Sequence, residues 1–193
     1  MWPWTHVAFG YVWYSVAVHL LLRRRPTDVP AILAGVSALL PDLVDKPLAW
    51  SIGATGTGYG PAHSLFVGIP IVALVAVGLW RWARLELGIA LFVGYASHLL
   101  GDIIFQYFDD GRIVTAVVTW PFGPAASEST GGILDHVVHY LRYYVHAIVT
   151  GEATTYVVMT IGIVVGVFAL WIADGTPGLA LVTSREFRRQ IFD

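Results

Sequence analysis

Tyr95–Ile104 reads YASHLLGDII, and the way its two ionisable side chains are accommodated decides the fold. His98 and Asp102 stand at i and i+4 inside an apolar run. On a helix that spacing stacks both side chains on one face. An ionisable group in hydrocarbon is costly, so it turns inward and pairs. Two pairings suit the stretch: a buried His–Asp hydrogen bond that joins helices, or a shared metal ion that satisfies both groups at once.

The surrounding composition sets the solvent. The chain has 193 residues, 56% hydrophobic and only 12% charged, with a mean hydropathy of +0.69. A soluble domain carries about 25% charged residues. Segments 1–22, 29–41, 47–80, 87–101 and 153–173 contain no Asp, Glu, Lys or Arg, and a membrane-crossing helix needs about 20 mostly apolar residues. The expected fold class is therefore all-α, a polytopic transmembrane helix bundle of about five spans plus one amphipathic helix. A net charge of −2 leaves no basic face for phosphate backbones, which argues for no nucleic-acid partner. The absence of cysteine excludes disulfides and thiolate metal sites.

The first expected span is Trp4–Leu22, with Trp2 and Trp4 as interfacial anchors. No positive charge precedes it and no small-residue cleavage site follows, so it does not read as a cleaved signal peptide. His6 opens it and His19 closes it beside Arg23–Arg25. A second apolar run, Val29–Leu40, ends in LLPDLVDKP, which sets Asp42 and Asp45 three apart. They share a face if the helix continues past Pro41, and otherwise form a turn at its mouth. Paired carboxylates also suit a divalent cation.

A glycine-rich loop lies between Trp50 and Ala62; without a closing Lys-Ser/Thr it is no phosphate loop. His63 and Ser64 open a third span that runs to Trp80. Glu86 begins the fourth, which contains His98 and Asp102. The stretch 105–132 is irregular. Ile133–Val149 is amphipathic, with His136, His139, Tyr143 and His146 opposite an apolar face, which suits an interfacial helix or a lid over a polar cavity. Ala153–Ala173 is a final span, and residues 174–193 form a tail with Arg185, Arg188 and Arg189. The whole of 1–193 reads as a single integral membrane domain, its metal-site core in 4–122.

Arginine clusters at 23–25, at 81 and 84, and at 185–189. The positive-inside rule puts all three in the cytoplasm, with the carboxyl terminus inside and the amino terminus outside. His6, Asp42, Asp45, His63, His98 and Asp102 then gather at the outer end of four helices. Three histidines and three carboxylates at one level suit one or two divalent ions. That convergence favours a metal site over structural pairing.

With these residues in view, the chain resembles the membrane-bound metal-dependent hydrolase family, described in bacteria as LexA-binding, inner-membrane-associated hydrolases. The match is ordered: His6; Leu40-Pro41-Asp42 with Asp45; His63-Ser64; Ser97-His98 with Asp102; and Trp120-Pro121-Phe122. It departs where Gly58 and Tyr59 stand in place of a His-Arg pair and Ala62 in place of a Thr. The departure implies that His136 or His139 supplies a missing ligand. A more distant resemblance, to zinc-dependent phospholipase C, rests on the order His, Asp, His, His-x-x-x-Asp and implies a phosphoester substrate.

The expected function is a membrane-embedded hydrolase that uses zinc, or else manganese, and acts on a phosphoester or lipid-borne substrate. His6, His63, His98, Asp102 and one of Asp42 or Asp45 are the expected ligands. The remaining aspartate, taken as Asp45, is the expected general base. Trp120, His136 and His139 are expected to shape the substrate entrance. The lipid bilayer is the expected partner. The rivals are a divalent-metal transporter, which would favour repeats and midplane sites, and a non-catalytic membrane interaction module.

Overall fold

The computed structural model describes residues 3–53, 58–123, 132–151 and 154–183, and those residues are helical or irregular throughout, with no strand among them. The helices are α1 (Pro3–Leu22), α2 (Asp28–Ser37), α3 (Leu40–Trp50), α4 (Gly68–Arg81), α5 (Leu85–Asp110), α6 (Ile133–Thr150), α7 (Thr154–Ala173) and α8 (Leu179–Thr183). Two 3-10 turns, Pro61–His63 and Thr115–Val117, stand before α4 and after α5. The arginine-rich tail at 185–189, the loop centre at 54–57 and residues 124–131 lie outside the described residues.

The all-helical expectation holds, but the count of five spans does not. Among the described residues only α1 and the Leu85–Phe108 part of α5 are long and apolar enough to cross a membrane. The second expected span fails because the chain turns at Ala38–Leu39 before Pro41 starts a new helix. That leaves α2 with 10 residues, or about 15 Å of rise against a hydrocarbon core of about 30 Å. The third fails because Ser64–Val67 is not helical, and α4 begins only at Gly68 and has 14 residues. In α7 the apolar part that qualifies by composition is the shorter stretch Thr160–Ala173.

Helix α5 is the hub, lying along α1, α2 and α4. Small residues set its close approaches, as expected where lipid gives helices no hydrophobic reason to associate. A Cβ on Gly94 would run into the Ala34 carbonyl, and one on Gly10 would stand 2.7 Å from the Ala38 Cβ. Tyr11, Tyr14, Val18, Ala31, Ala34 and Ala90 fill the seam between α1, α2 and α5. A second cluster, Val72, Tyr95, Leu99, Val117 and Val118, joins α4 and α5 to the turn after α5.

Buried polar groups tie the other end. Glu86, at the start of α5, accepts from the Tyr14 hydroxyl at 2.7 Å and the Thr27 amide at 3.0 Å, and pairs with Arg24. Asp174, just past α7, accepts from Tyr11 and Ser15, each at 2.7 Å. These carboxylates pin α5 and α7 to α1 beside the first arginine cluster. The end with His6 and Asp102 is left to the other polar cluster.

Candidate metal centre

Five side chains meet at that end. His6 comes from the first turns of α1, Asp42 from the first turn of α3, His63 from the 3-10 turn, and His98 and Asp102 from successive turns of α5. All five are buried, with His63 and His98 fully so. Two groups, His6–His98–Asp102 and Asp42–His63–His98, offer ligand atoms close enough to hold a metal ion.

The local folding explains the convergence. Pro41 sits in the first turn of α3, where its missing amide costs nothing, so Asp42 projects from a helix start. The Ser64 hydroxyl accepts from the Phe66 and Val67 amides at 3.0 and 3.2 Å and donates to the Trp120 carbonyl. The Leu65 amide donates to the Val118 carbonyl at 2.9 Å, and the Tyr95 hydroxyl donates to the Ala62 carbonyl. His63 is thus carried on a turn fastened to α5 on one side and to segment 115–122 on the other.

Two imidazoles have their tautomers set from behind. His63 Nδ1 lies 2.8 Å from Asp45 Oδ2, and His98 Nδ1 lies 2.7 Å from the Ala38 carbonyl oxygen. Both partners are acceptors, so each Nδ1 carries the proton and each Nε2 presents a lone pair. Those two Nε2 atoms face one another at 3.1 Å. Asp42 Oδ1 stands 3.4 Å from the first and 3.7 Å from the second, and Asp102 Oδ2 stands 3.7 and 3.4 Å from them. Each carboxylate thus sets an oxygen 3.4–3.7 Å from both imidazole nitrogens, which are themselves 3.1 Å apart. Ligands about 2.0–2.2 Å from a tetrahedral ion are separated by about 3.3–3.6 Å. The residues present fit a divalent cation; without one, facing lone pairs and carboxylates need a shared proton.

His6 adds capacity. Its ring stacks on His98 with centroids 3.8 Å apart. Nε2 approaches Asp102 Oδ1 at 3.3 Å but is not aligned for a hydrogen bond, and neither ring nitrogen has a hydrogen-bond partner. Asp102 thus turns one oxygen to His6 and the other to His63 and His98.

Asp45 stands apart from this group. Both its oxygens point at the 3-10 turn, where they accept from the amides of Gly60 at 2.8 Å, Ala62 at 3.1 Å and His63 at 2.8 Å, besides the His63 ring. The structure places it behind His63 rather than beside Asp42. Burial alone would raise its pKa, but the His63 ring and these amides outweigh burial and hold it below the usual carboxylate range. Burial likewise opposes ionisation of Asp42, yet His63 and Lys46 keep that carboxyl well below its ordinary value. For His63 burial lowers the pKa, and Asp42 and Asp45 more than reverse it. The surroundings favour positive charge at this point.

The other expected site residues lie outside the cluster. Trp120 meets it only through its backbone, by way of Ser64. His136 stacks on Trp50 at 4.3 Å between centroids, and His139 is exposed on α6. Lys46, absent from the expected site, pairs with Asp42. Its only sequence signal is that it is the single lysine in the chain, one turn beyond Asp42.

An all-helical membrane protein with a buried histidine–carboxylate centre able to hold a metal ion is the class defined by fold and site. The chain belongs to the YdjM inner membrane protein family, whose profile matches residues 1–175. Comparison with curated proteins and with solved structures gives no match.

Proposed function

We propose that the protein is a metal-dependent hydrolase that acts on an ester carried by a membrane lipid. The observation that carries this reading is a buried pair of imidazole nitrogens 3.1 Å apart, their lone pairs aimed by Asp45 and the Ala38 carbonyl, with an oxygen of Asp42 and one of Asp102 each within 3.7 Å of both. Asp42, His63, His98 and Asp102 are the ligands, and His6 is a further donor to the same centre. A divalent ion there, zinc or else manganese, supplies the Lewis acid that polarises the ester and stabilises charge developing on it.

The chain's own residues do the rest. Asp45 holds His63 in the tautomer that keeps Nε2 free, a positioning role, since four N–H groups already occupy its oxygens. The fastening of Ser64 to Trp120 fixes the turn against its neighbours, so His63 does not reorient when substrate arrives. Phe66 and Phe122, exposed and edge to face at 5.3 Å, stand next to that turn and offer an apolar approach for an acyl chain. The arginines at 23–25, 81 and 84 imply that the centre faces outward and the opposite end faces the cytoplasm.

Metal analysis of detergent-purified full-length protein, followed by a panel of phosphodiesters, phosphomonoesters, carboxylic esters and amides, tests the reading. The expected result is stoichiometric zinc or manganese, with a lipid-borne ester turned over faster than its soluble counterpart. A folded protein that refuses both metals, or a loaded one that cleaves nothing in the panel, overturns it.

A further inference from the structure

We infer that Lys46 is the substrate-recognising cation of this centre and that the ester it selects carries an anionic phosphoryl group. The inference rests on the hydrolase reading above and names the substrate class for that site.

Lys46 is the single lysine in a chain with ten arginines, and it pairs with Asp42, a carboxylate of the cluster. Asp42 divides its oxygens: Oδ1 faces the His63 and His98 nitrogens, while Oδ2 meets the Lys46 ammonium. The ammonium is thus one carboxylate away from the point where an ion would sit. Its side chain remains 30% exposed while Asp42 is 10% exposed, so the lysine occupies the boundary between the buried centre and its surroundings. An ammonium has three donors, and among the described residues its partners are Asp42 and the Trp50 ring, 5.8 Å from Nζ to centroid.

The stem is held in place. Gly58 lies against it, so that a Cβ there would be 3.4 Å from Lys46 Cγ and 3.6 Å from Trp50 Cζ2. Trp50 is in turn braced by His136 stacked on it at 4.3 Å and 7°. A flexible side chain is thereby given one direction. Beyond it, Tyr59 meets the His63 ring edge to face at 5.0 Å.

Charge balance gives the substrate preference. Two ligand carboxylates offset a divalent ion, and Asp45 directs its charge into four N–H groups. The Lys46 charge is then available at the exposed edge of the cluster, where it attracts an anion and bears on a phosphoryl oxygen as a point charge. An Asp–Lys pair that served only the helix surface would contribute little and would have no cause to sit on a ligand carboxylate.

The experiment compares wild type, Lys46→Met and Lys46→Arg as full-length, metal-loaded protein in detergent. Zinc occupancy is read by elemental analysis and inorganic phosphate binding by calorimetry. KM and kcat are measured for a phosphomonoester and for a neutral carboxylic ester with the same leaving group. Lys46→Met is expected to keep its zinc, to lose phosphate affinity roughly ten- to hundredfold, and to raise KM for the phosphoester alone. Lys46→Arg is expected to restore most of the loss. Detergent micelles doped with phosphatidic acid, set against soluble glycerol phosphate, separate the two sources of the phosphoryl group: tighter binding to the doped micelles assigns it to a lipid headgroup, and equal binding to a soluble ester. Unchanged phosphate binding in Lys46→Met, or equal losses on neutral and anionic esters, overturns the inference and leaves the hydrolase reading standing. A wild type that holds no metal overturns both.

Discussion

Replacing Asp45 by Asn separates holding a ligand from being one. The amide keeps the volume, but its NH2 group would face N–H donors on the 3-10 turn and the His63 ring. Leaving such buried donors unpaired costs about 1–3 kcal/mol, and a lost partner behind a ligand histidine costs about 10–100-fold in metal affinity. Asp45→Asn is therefore expected to lower both the unfolding temperature of the metal-free protein and its zinc affinity. Asp42→Asn is expected to lower zinc affinity without the same loss of metal-free stability, because Asp42 turns Oδ1 to lone pairs and Oδ2 to the part-exposed Lys46 ammonium rather than to buried amides. Zinc titration and thermal unfolding of the two variants decide it: equal profiles would remove the distinction. The spacing of Asp42 and Asp45 made both legible as polar groups at a helix mouth. It did not reveal which one faced the histidines, because that depends on where residues 60–63 return to α3. Lys46 was overlooked for a similar reason, since an i, i+4 pair on a surface helix looks the same whether or not its carboxylate also faces a buried cluster.

Helix α2 shows how an element far shorter than the bilayer still serves the site. Its end turns the Ala38 carbonyl toward His98 at 2.7 Å, and α1 reaches that turn through Gly10, whose missing Cβ makes room for Ala38. Gly10→Val is expected to destabilise by about 1–3 kcal/mol through overpacking. It should also weaken zinc binding, although no atom of residue 10 meets the cluster, because displacing Ala38 frees His98 to rotate. Gly78→Ala, in open space on α4, is the matched control and should leave zinc binding alone. Loss of stability in Gly10→Val without loss of zinc affinity would show that the backbone carbonyl does not position the ring. Apolar runs read correctly as helices here, and α1 follows its expected boundaries closely, but α5 continues through Asp110, six residues into the stretch 105–132 expected to be irregular. The runs 29–40 and 64–80 were overread as spans. Periodicity and hydropathy do not register that Ala38–Leu39 turns, or that Ser64–Val67 is held non-helical by Trp120 and Val118.

The molecule as a whole is polar at both ends for different reasons. At one end Glu86 pairs with Arg24, the Gly178 amide donates to Asp28 at 2.6 Å, and Gly175 lies near the Arg25 guanidinium. At the other end histidines and carboxylates face a common centre, and aromatic side chains such as Phe108 and Phe122 are exposed. The alternation of α1, α2, α4 and α5 between these ends was legible from where the polar residues fell along each apolar run, even though the runs themselves were too short to be spans. Orientation follows from the arginines, whose cluster at 23–25 joins Arg81 and Arg84 at the first end. In the orientation proposed above from the positive-inside rule that end is cytoplasmic, and the candidate metal centre faces away from the cytoplasm. Because the chain has no cysteine, single substitutions report without background. Trp82→Cys and Phe122→Cys, at positions 80% and 78% exposed, sit at opposite ends and should label differently with a membrane-impermeant maleimide. In intact spheroplasts Phe122→Cys is expected to react and Trp82→Cys to remain protected until the membrane is permeabilised. The reverse pattern would turn the protein over, place the centre in the cytoplasm, and require that its substrate be reached from the inner leaflet. Labelling of both in intact spheroplasts would mean that segment 82–122 does not cross, and that α5, although long and apolar enough, lies within one face of the bundle.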